Sequence, residues 1–495
     1  MASPVILAID QGTTSTRSLV YDPAAFTVLG SSQQELEQHY PKDGWVEHEP
    51  EDIWYSTART VRETLAAARC EPSRVAAIGI TNQRETTVLW DRDTSRPVHR
   101  AIVWQDRRAT DFCREHAAEQ EWLAERTGLV LDPYFSGTKL RWLLERDPAI
   151  RSAAERGAVA FGTVDSFLMW RLTGGAAHVT DASNASRTLL FNIHSMQWDD
   201  ELLKWFAVPH AVLPEVKPSA ANFGVTKGLD FLPDGIPISG VAGDQQAALF
   251  GQGCFAPGEG KCTYGTGAFF LLHTGEAAVR SRHRLLTTVA ATTNATAKYA
   301  LEGAVFIAGA AVQWLRDGLH LFRTASEVED LAKASNPAEP VLFVPGFVGL
   351  GAPHWVPEAR GAMFGLTRAT TAADLARAAL EGVAFQVADL LDAAAKDCPD
   401  SAALRVDGGM ARNDWFLQFQ ADVLGRPVLR ATQSESTALG AAMLAAVGSG
   451  LADESKLKSL LAETQRFEPV MPTANRESKL ATWRKAVQAV IAFAK

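Results

Sequence analysis

The chain has 495 residues, 47% of them hydrophobic and 21% charged, enough for a large core and for about two to four domains of ordinary size. Its net charge is -9 and it contains no run of lysines or arginines, which argues against nucleic acid or an anionic membrane surface as principal partner. No apolar stretch is long enough to span a bilayer, and the five cysteines are odd in number and lack CxxC spacing. A soluble protein of a reducing, cytoplasmic compartment, without structural zinc, is therefore expected.

Apolar residues 5–9 form the first expected strand, which stops at Asp10. The segment DQGTTSTR (10–17) follows, and residues 19–21 resume the apolar pattern. One carboxylate and a row of hydroxyls at a turn between strands have two readings. The turn is a hairpin whose side chains satisfy their own backbone, or it is a cradle whose hydroxyls and N–H groups donate to phosphate oxygens. In the cradle, Arg17 adds charge-assisted donors, and Asp10 is placed to hold Mg2+ through water, because Mg2+ keeps most of its hydration shell. Further along, Pro50 suits a first helical position, before Ile53, Thr57, Val61 and Leu65 on one face. Residues 75–80 read as a buried strand ending in TNQRETT. Residues 88–90 and 101–104 read as a hairpin extension, and residues 237–242 as a strand ending at Gly243-Asp244-Gln245.

After about residue 250 a similar programme restarts. KCTYGTGAFFLLHTG (261–275) pairs two apolar runs around a Gly-Thr-Gly turn. Thr371, with Asp374 three residues on, caps a long helix whose stripe of Leu380, Val383, Val387, Leu390 and Leu391 belongs to a core. Residues 404–406 form a strand leading into DGGMARN (407–413), with helix from Asn413 onward, and the last 45 residues read as polar helix. The expected fold is α/β with two domains, 1–250 and 251–495, in extensive contact.

The commonest nucleotide loops are missing. The only Gly-Lys pair, Gly260-Lys261, lacks the earlier glycine of a Walker loop, there is no GxGxxG, and GFVGLGAP (346–353) leads into no evident helix. DQGTTSTR, YGTGAF (264–269) and DGGMARN offer instead three hydroxyl- or glycine-rich turns between two lobes. Arg84-Glu85 and Asp244-Gln245 each follow a strand, where α/β sheets bind ligands. Singly they read as a surface ion pair and a helix N-cap. Together they set fixed donors and acceptors around a small ligand with several hydroxyls, with Trp104 or Phe269 covering its carbon edge.

These motifs, in this order, resemble the FGGY carbohydrate kinases from about residue 8 to 447. The resemblance rests on AIDQGTTSTR, ITNQRETTVLW, VWQDRR, LDPYFSGTKLRW, GTVDSF, TDASNASRTLLFNI, GVAGDQQAALFGQ, CTYGTGAF, LEGAVFIAGAAVQWL, FVGLGAPHW, VDGGMARN and STALGAA. NQRETT with WQDRR resembles the members that phosphorylate glycerol. The resemblance implies two actin-like, ribonuclease H-like domains flanking a cleft for Mg-ATP and a polyol. The implied reaction is ATP-dependent phosphorylation of glycerol to sn-glycerol 3-phosphate, in glycerol uptake and catabolism. It assigns Asp244 as general base, and Arg84, Glu85, Tyr134, Asp244 and Gln245 to the glycerol hydroxyls, with Trp104 and Phe269 at the carbons. It assigns Thr13, Thr14, Ser15 and Arg17 to the phosphates, Asp10 to Mg2+, and Thr266, Gly309, Gln313, Gly409 and Asn413 to the nucleotide. It further implies a homodimer or homotetramer in the cytoplasm, with no nucleic acid and no membrane insertion. Members inhibited by fructose 1,6-bisphosphate carry Gly-Gly-Thr-Arg before the IPISG strand, where this chain reads TKGLDFLPDGIPISG. A chaperone or filament ATPase of the actin-like class explains the phosphate turns but leaves NQRE and GDQQ unexplained.

Overall fold

Val5, Leu7 and Ile9 point into one apolar cluster and Ile6 and Ala8 into another, so the first strand is buried on both faces. A computed structural model describes residues 3–398, 403–431, 435–461 and 464–494. The first sheet contains β1 (Val5–Gln11), β2 (Ser15–Tyr21), β3 (Val28–Glu35), β4 (Val75–Asn82), β5 (Ala220–Val225) and β6 (Pro237–Gly243), in the order β5-β6-β4-β1-β2-β3. Strand β1 runs parallel to β4 and antiparallel to β2, and β4 runs parallel to β6.

The second sheet contains β7 (Gly260–Tyr264), β8 (Ala268–Gly275), β9 (Leu286–Val289), β10 (Tyr299–Val305), β11 (Leu404–Asp407), β12 (Val428–Ala431) and β13 (Thr464–Phe467). Its order is β9-β10-β8-β7-β11-β12-β13, with β7 antiparallel to β8 and parallel to β11. Aligning β7 with β1 superimposes the two programmes: a hairpin partner on one side and a parallel crossover strand on the other. The repeated topology is the actin-like, ribonuclease H-like architecture.

Among the helices of the described residues that frame the sheets and the cleft are α1 (Pro50–Ala67), α2 (Asp244–Gly251), α3 (Gly309–Asp317), α4 (Ala372–Asp397), α5 (Asp414–Leu424) and α6 (Ser436–Gly448). Pro50 takes the first turn of α1, and Ile53, Thr57, Val61 and Leu65 are buried. Thr371 and Asp374 form the capping box of α4, a cap typically worth about 1 kcal/mol, and all five stripe residues are in the core. Helix α6 falls between β12 and β13 of the second sheet in sequence but lies on the first. A Cβ on Gly79 of β4 would meet Ala441 O at 2.2 Å, and one on Gly440 would meet Ala247 O of α2 at 1.9 Å. These glycines allow backbone to touch backbone, so α6 ties the two halves together.

Two expectations need correction. Residues 88–104 are only bridged to one another: Val88–Asp91 pairs with Val159–Gly162, and Ala101–Ile102 with Glu47–His48. Nonlocal partners supply more ladder than the intervening turn can. The last 45 residues are not all polar helix. Thr464–Phe467 adds edge strand β13 to the second sheet, and the helix Thr473–Phe493 buries Trp483, Ala486, Val487 and Val490. Trp483 stacks on Phe385 of α4 with ring centroids 5.3 Å apart and donates to Asp389 Oδ2 at 2.8 Å. A stripe this narrow is diluted among polar neighbours in the sequence.

Candidate functional site

The turn after β1 is closed by Gly12 N donating to Ser15 O at 2.9 Å. Its hydroxyls are not spent on their own backbone. Thr13 Oγ1 accepts from Trp104 Nε1 at 2.8 Å and Ser15 Oγ from Gln33 Nε2 at 3.0 Å, which leaves both hydroxyl protons for a ligand, and Thr14 is exposed. Arg17 binds Gln33 Oε1 through Nε and Nη2, at 3.1 and 2.7 Å, and pairs with Glu435 through Nη1. A buried amide chain braces the turn from behind. Gln83 Nε2 reaches Gln11 Oε1 at 3.1 Å and Gly12 O at 3.2 Å, and Thr86 Oγ1 donates to Gln83 Oε1 at 2.8 Å.

Asp10 is the penultimate residue of β1, opposite Arg17 on β2 and Thr81 on β4. Burial pushes its carboxyl up to about 7, Arg17 pulls it down, and the nearby Asp244 pushes it further up. Among the described residues it accepts no hydrogen bond and no three His, Cys, Asp or Glu side chains converge on a metal. A fully caged cation therefore does not fit. A cation held by one or two carboxylates with its own waters and phosphates does, and that is the habit of Mg2+.

Arg84 and Glu85 are not a surface pair. They are 3% and 1% exposed, and their direct contact, Nε to Oε1, is long at 3.8 Å. Each binds across the molecule instead. Glu302 of β10 accepts from Arg84 Nη1 at 2.6 Å, Arg84 Nη2 at 3.0 Å and Arg187 Nη2 at 2.9 Å, while Arg187 Nε donates to Glu85 Oε1 at 2.6 Å. Two guanidiniums and two carboxylates thus form a neutral buried cluster, which offsets the cost of desolvating each charge. Burial alone would raise Glu302, but Arg187 and Arg84 outweigh it and hold the carboxyl at about 2. Glu85 is raised by burial against the pull of the same two arginines. Its φ of 61° places a non-glycine residue in the left-handed region, as is common where function dictates the backbone.

Asp244 opens α2, with Gly243 as the cap, so it is the first helical residue and not the N-cap. Its side chain is 31% exposed and lies beside the buried cluster: Arg84 Nε is 3.1 Å from Oδ1. Oδ1 also accepts from Gln245 N at 2.7 Å, and Oδ2 accepts from Gln245 Nε2 at 3.2 Å. Tyr134 packs edge-on to Trp104 with centroids 5.5 Å apart, and the Arg187 guanidinium lies 5.7 Å from the Tyr134 ring centre. Phe269 makes none of these contacts. Opposite Thr263 and Ala304 in register, it shares a sheet face with Lys261 and Glu302.

The remaining residues gather on the second domain. Ala308 N and Ala310 N donate to Thr266 O at 2.8 and 3.1 Å, clamping the Gly-Thr-Gly turn to the start of α3. Gly309 is required there, since its Cβ would meet Gly265 O at 2.6 Å. Gln313 is exposed one turn along the same helix. Gly408 has φ 92°, and a Cβ on Gly409 would face open space. Asn413 caps α5 by accepting from Phe416 N at 2.8 Å, while its buried Nδ2 has no protein partner.

Four contributors escape a sequence reading. Arg187, Gln246, Lys261 and Glu302 all touch the polar cluster, and Gln246 Oε1 accepts from Arg84 Nη1 at 3.3 Å. The available signal was a charge inside an apolar strand: Lys261 in GKCTY and Glu302 in YALEGAV. Lys139 is also buried, donating to Pro133 O at 3.1 Å and to Tyr134 O, and so supports the Tyr134 segment from below.

Residues 5–251 match the N-terminal domain, and residues 260–449 the C-terminal domain, of the FGGY family of carbohydrate kinases. A glycerol kinase of Methylobacterium nodulans is 55% identical over 490 residues, covering 98% of this chain and 97% of that protein. One of Rhodospirillum centenum is 56% identical over 488 residues, 98% of each. Among solved structures, Plasmodium falciparum glycerol kinase with ADP superposes with a TM-score of 0.92 at 38% identity, covering 99% of this chain and 98% of that one. A ligand-bound xylulose kinase from Lactobacillus acidophilus, 22% identical with a TM-score of 0.86 over 99% of this chain and 97% of that one, shares the fold. The chain belongs to the FGGY family of carbohydrate kinases.

Proposed function

We propose that the protein transfers the terminal phosphoryl group of ATP to glycerol, giving sn-glycerol 3-phosphate and ADP, in glycerol uptake and catabolism. Family membership and full-length glycerol kinase relatives support the reaction class and the acceptor. The observation that carries the reading is the state of Asp244. In this partly exposed side chain Oδ1 is occupied by Arg84 and by Gln245 N, while Oδ2 has one long donor and keeps a lone pair for an incoming hydroxyl. A general base toward an alcohol needs such an oxygen.

In this reading Arg84, Glu85, Tyr134 and Gln245 hold the glycerol hydroxyls, with Trp104 and Phe269 beside its carbons. Thr13, Thr14, Ser15 and Arg17 take the phosphates from one side. Thr266, Gly309, Gln313, Gly409 and Asn413 take the nucleotide from the other. Mg2+, held by Asp10 through water, would neutralise phosphate charge. The protein's main work is placement, and holding two substrates in line supplies roughly 7–11 kcal/mol of the barrier. Asp244 Oδ2 accepts the hydroxyl proton as the oxygen attacks phosphorus.

The division into domains at 1–250 and 251–495, assembly as a homodimer or homotetramer, and a cytoplasmic location belong to the same proposal. Buried free thiols at Cys70, Cys113, Cys254 and Cys262 support a reducing compartment. The test is a coupled ADP assay over glycerol, erythritol, gluconate, xylulose and ribulose. Glycerol should give the highest kcat/KM; a higher value for a pentulose or gluconate would reassign the substrate within the family.

A further inference from the structure

Lys261 lies on β7 in the second domain, is fully buried, and aims its ammonium at the first domain. Nζ donates to Gln245 Oε1 and, at 2.8 Å, to Thr263 Oγ1. Both acceptors are neutral. The charges around it are Asp407, Asp244, Glu302 and Arg84. A buried ammonium with two neutral acceptors is costly as packing alone, and burial lowers its proton affinity against the pull of Asp407 and Asp244.

We propose that Lys261 is a positioning residue for the phosphoryl-transfer base: it fixes the Gln245 amide so that Nε2 faces Asp244 Oδ2. A glutamine amide has two orientations differing by a flip. An ammonium has only protons to offer, so Lys261 can face only Oε1, and Nε2 must then turn to the carboxylate. The flipped amide would set Oε1 against Asp244 and N–H against N–H at Lys261. Because Gln245 is on α2 of the first domain and Lys261 on the second sheet, the orientation of the base depends on how the two domains meet. The inference rests on the reading of Asp244 as base.

The test is a double-mutant cycle of Lys261→Met and Gln245→Leu in the full-length protein, using whichever polyol the wild type phosphorylates fastest. Lys261→Met should lower kcat by about tenfold or more while leaving KM for ATP within about twofold, and should cost nothing further in the Gln245→Leu background. Losses that multiply in the double variant, or an unchanged kcat, overturn the inference while leaving the proposed reaction standing. If Lys261→Met does not fold, Thr263→Val removes the second acceptor at nearly constant volume. It should lower kcat by about threefold, again only when Gln245 is present, and an effect that persists without Gln245 is equally fatal. If no polyol is phosphorylated by the wild type, the proposed function fails first and this inference with it.

Discussion

Arg84 Nε lies 3.1 Å from Asp244 Oδ1, and both terminal nitrogens of the same guanidinium are bound by Glu302 of the other domain. One arginine therefore connects the carboxylate at the cleft to the core of the second sheet. The position of Asp244 is inherited from a buried ion cluster, whereas its second oxygen, Oδ2, is left for chemistry.

Asp244→Asn removes the basic oxygen while preserving shape and most contacts. It should still bind glycerol, seen by calorimetry, but lose kcat by at least about 10²-fold in the coupled assay. A near-normal kcat would remove Asp244 from the base role.

Glu302→Gln leaves Arg187 with Glu85, and Arg84 with Asp244 and the more distant Glu85. Breaking a buried pair by removing one partner costs about 3–5 kcal/mol, read as a lower urea midpoint. The sign with pH follows from Glu302 being held at about 2 against an ordinary value of 4.5. A depressed carboxyl contributes stability that is complete above its unfolded value and lost as pH falls through the folded one. The wild type minus variant difference should therefore be flat above pH 4.5 and shrink between 4.5 and about 2. A difference growing toward acid would contradict the cluster.

Asp10→Asn tests the metal side of the cleft. Acting through water on the ion, Asp10 should shift the Mg2+ concentration for half-maximal activity upward by about 10–100-fold. Glycerol affinity should move little. A loss of glycerol binding with unchanged Mg2+ dependence would move Asp10 to the polyol.

Trp104→Phe keeps the edge contact to Tyr134 but deletes the donor to Thr13 Oγ1. A net loss of about 1 kcal/mol at the phosphate turn would raise KM for ATP by about fivefold, with glycerol affinity changed less. Equal effects on both substrates would mean that the indole acts only as a wall.

Much of the fold was legible because its signals are local. Pro50 and the 53–65 stripe of α1, the Thr371–Asp374 box of α4 and the apolar run of β1 each declare themselves within a few residues. Pairing was less legible: Val88–Asp91 finds its partner at Val159–Gly162, and β13 finds β12, across distances that no periodicity reveals. At the cleft, Arg84, Glu85, Asp244 and Gln245 stood out because polar residues end apolar strands. Glu302 and Lys261 did not, because each is a single charge inside a strand whose reason for being there lies on the other domain.

The most direct measurement is ADP formation by the purified protein with Mg2+ and ATP, with and without glycerol, with the product identified by phosphorus NMR. Stoichiometric glycerol 3-phosphate is expected, with an ADP rate at least about 10²-fold above the glycerol-free rate. ADP formation indifferent to glycerol and to other small alcohols would contradict the proposed function.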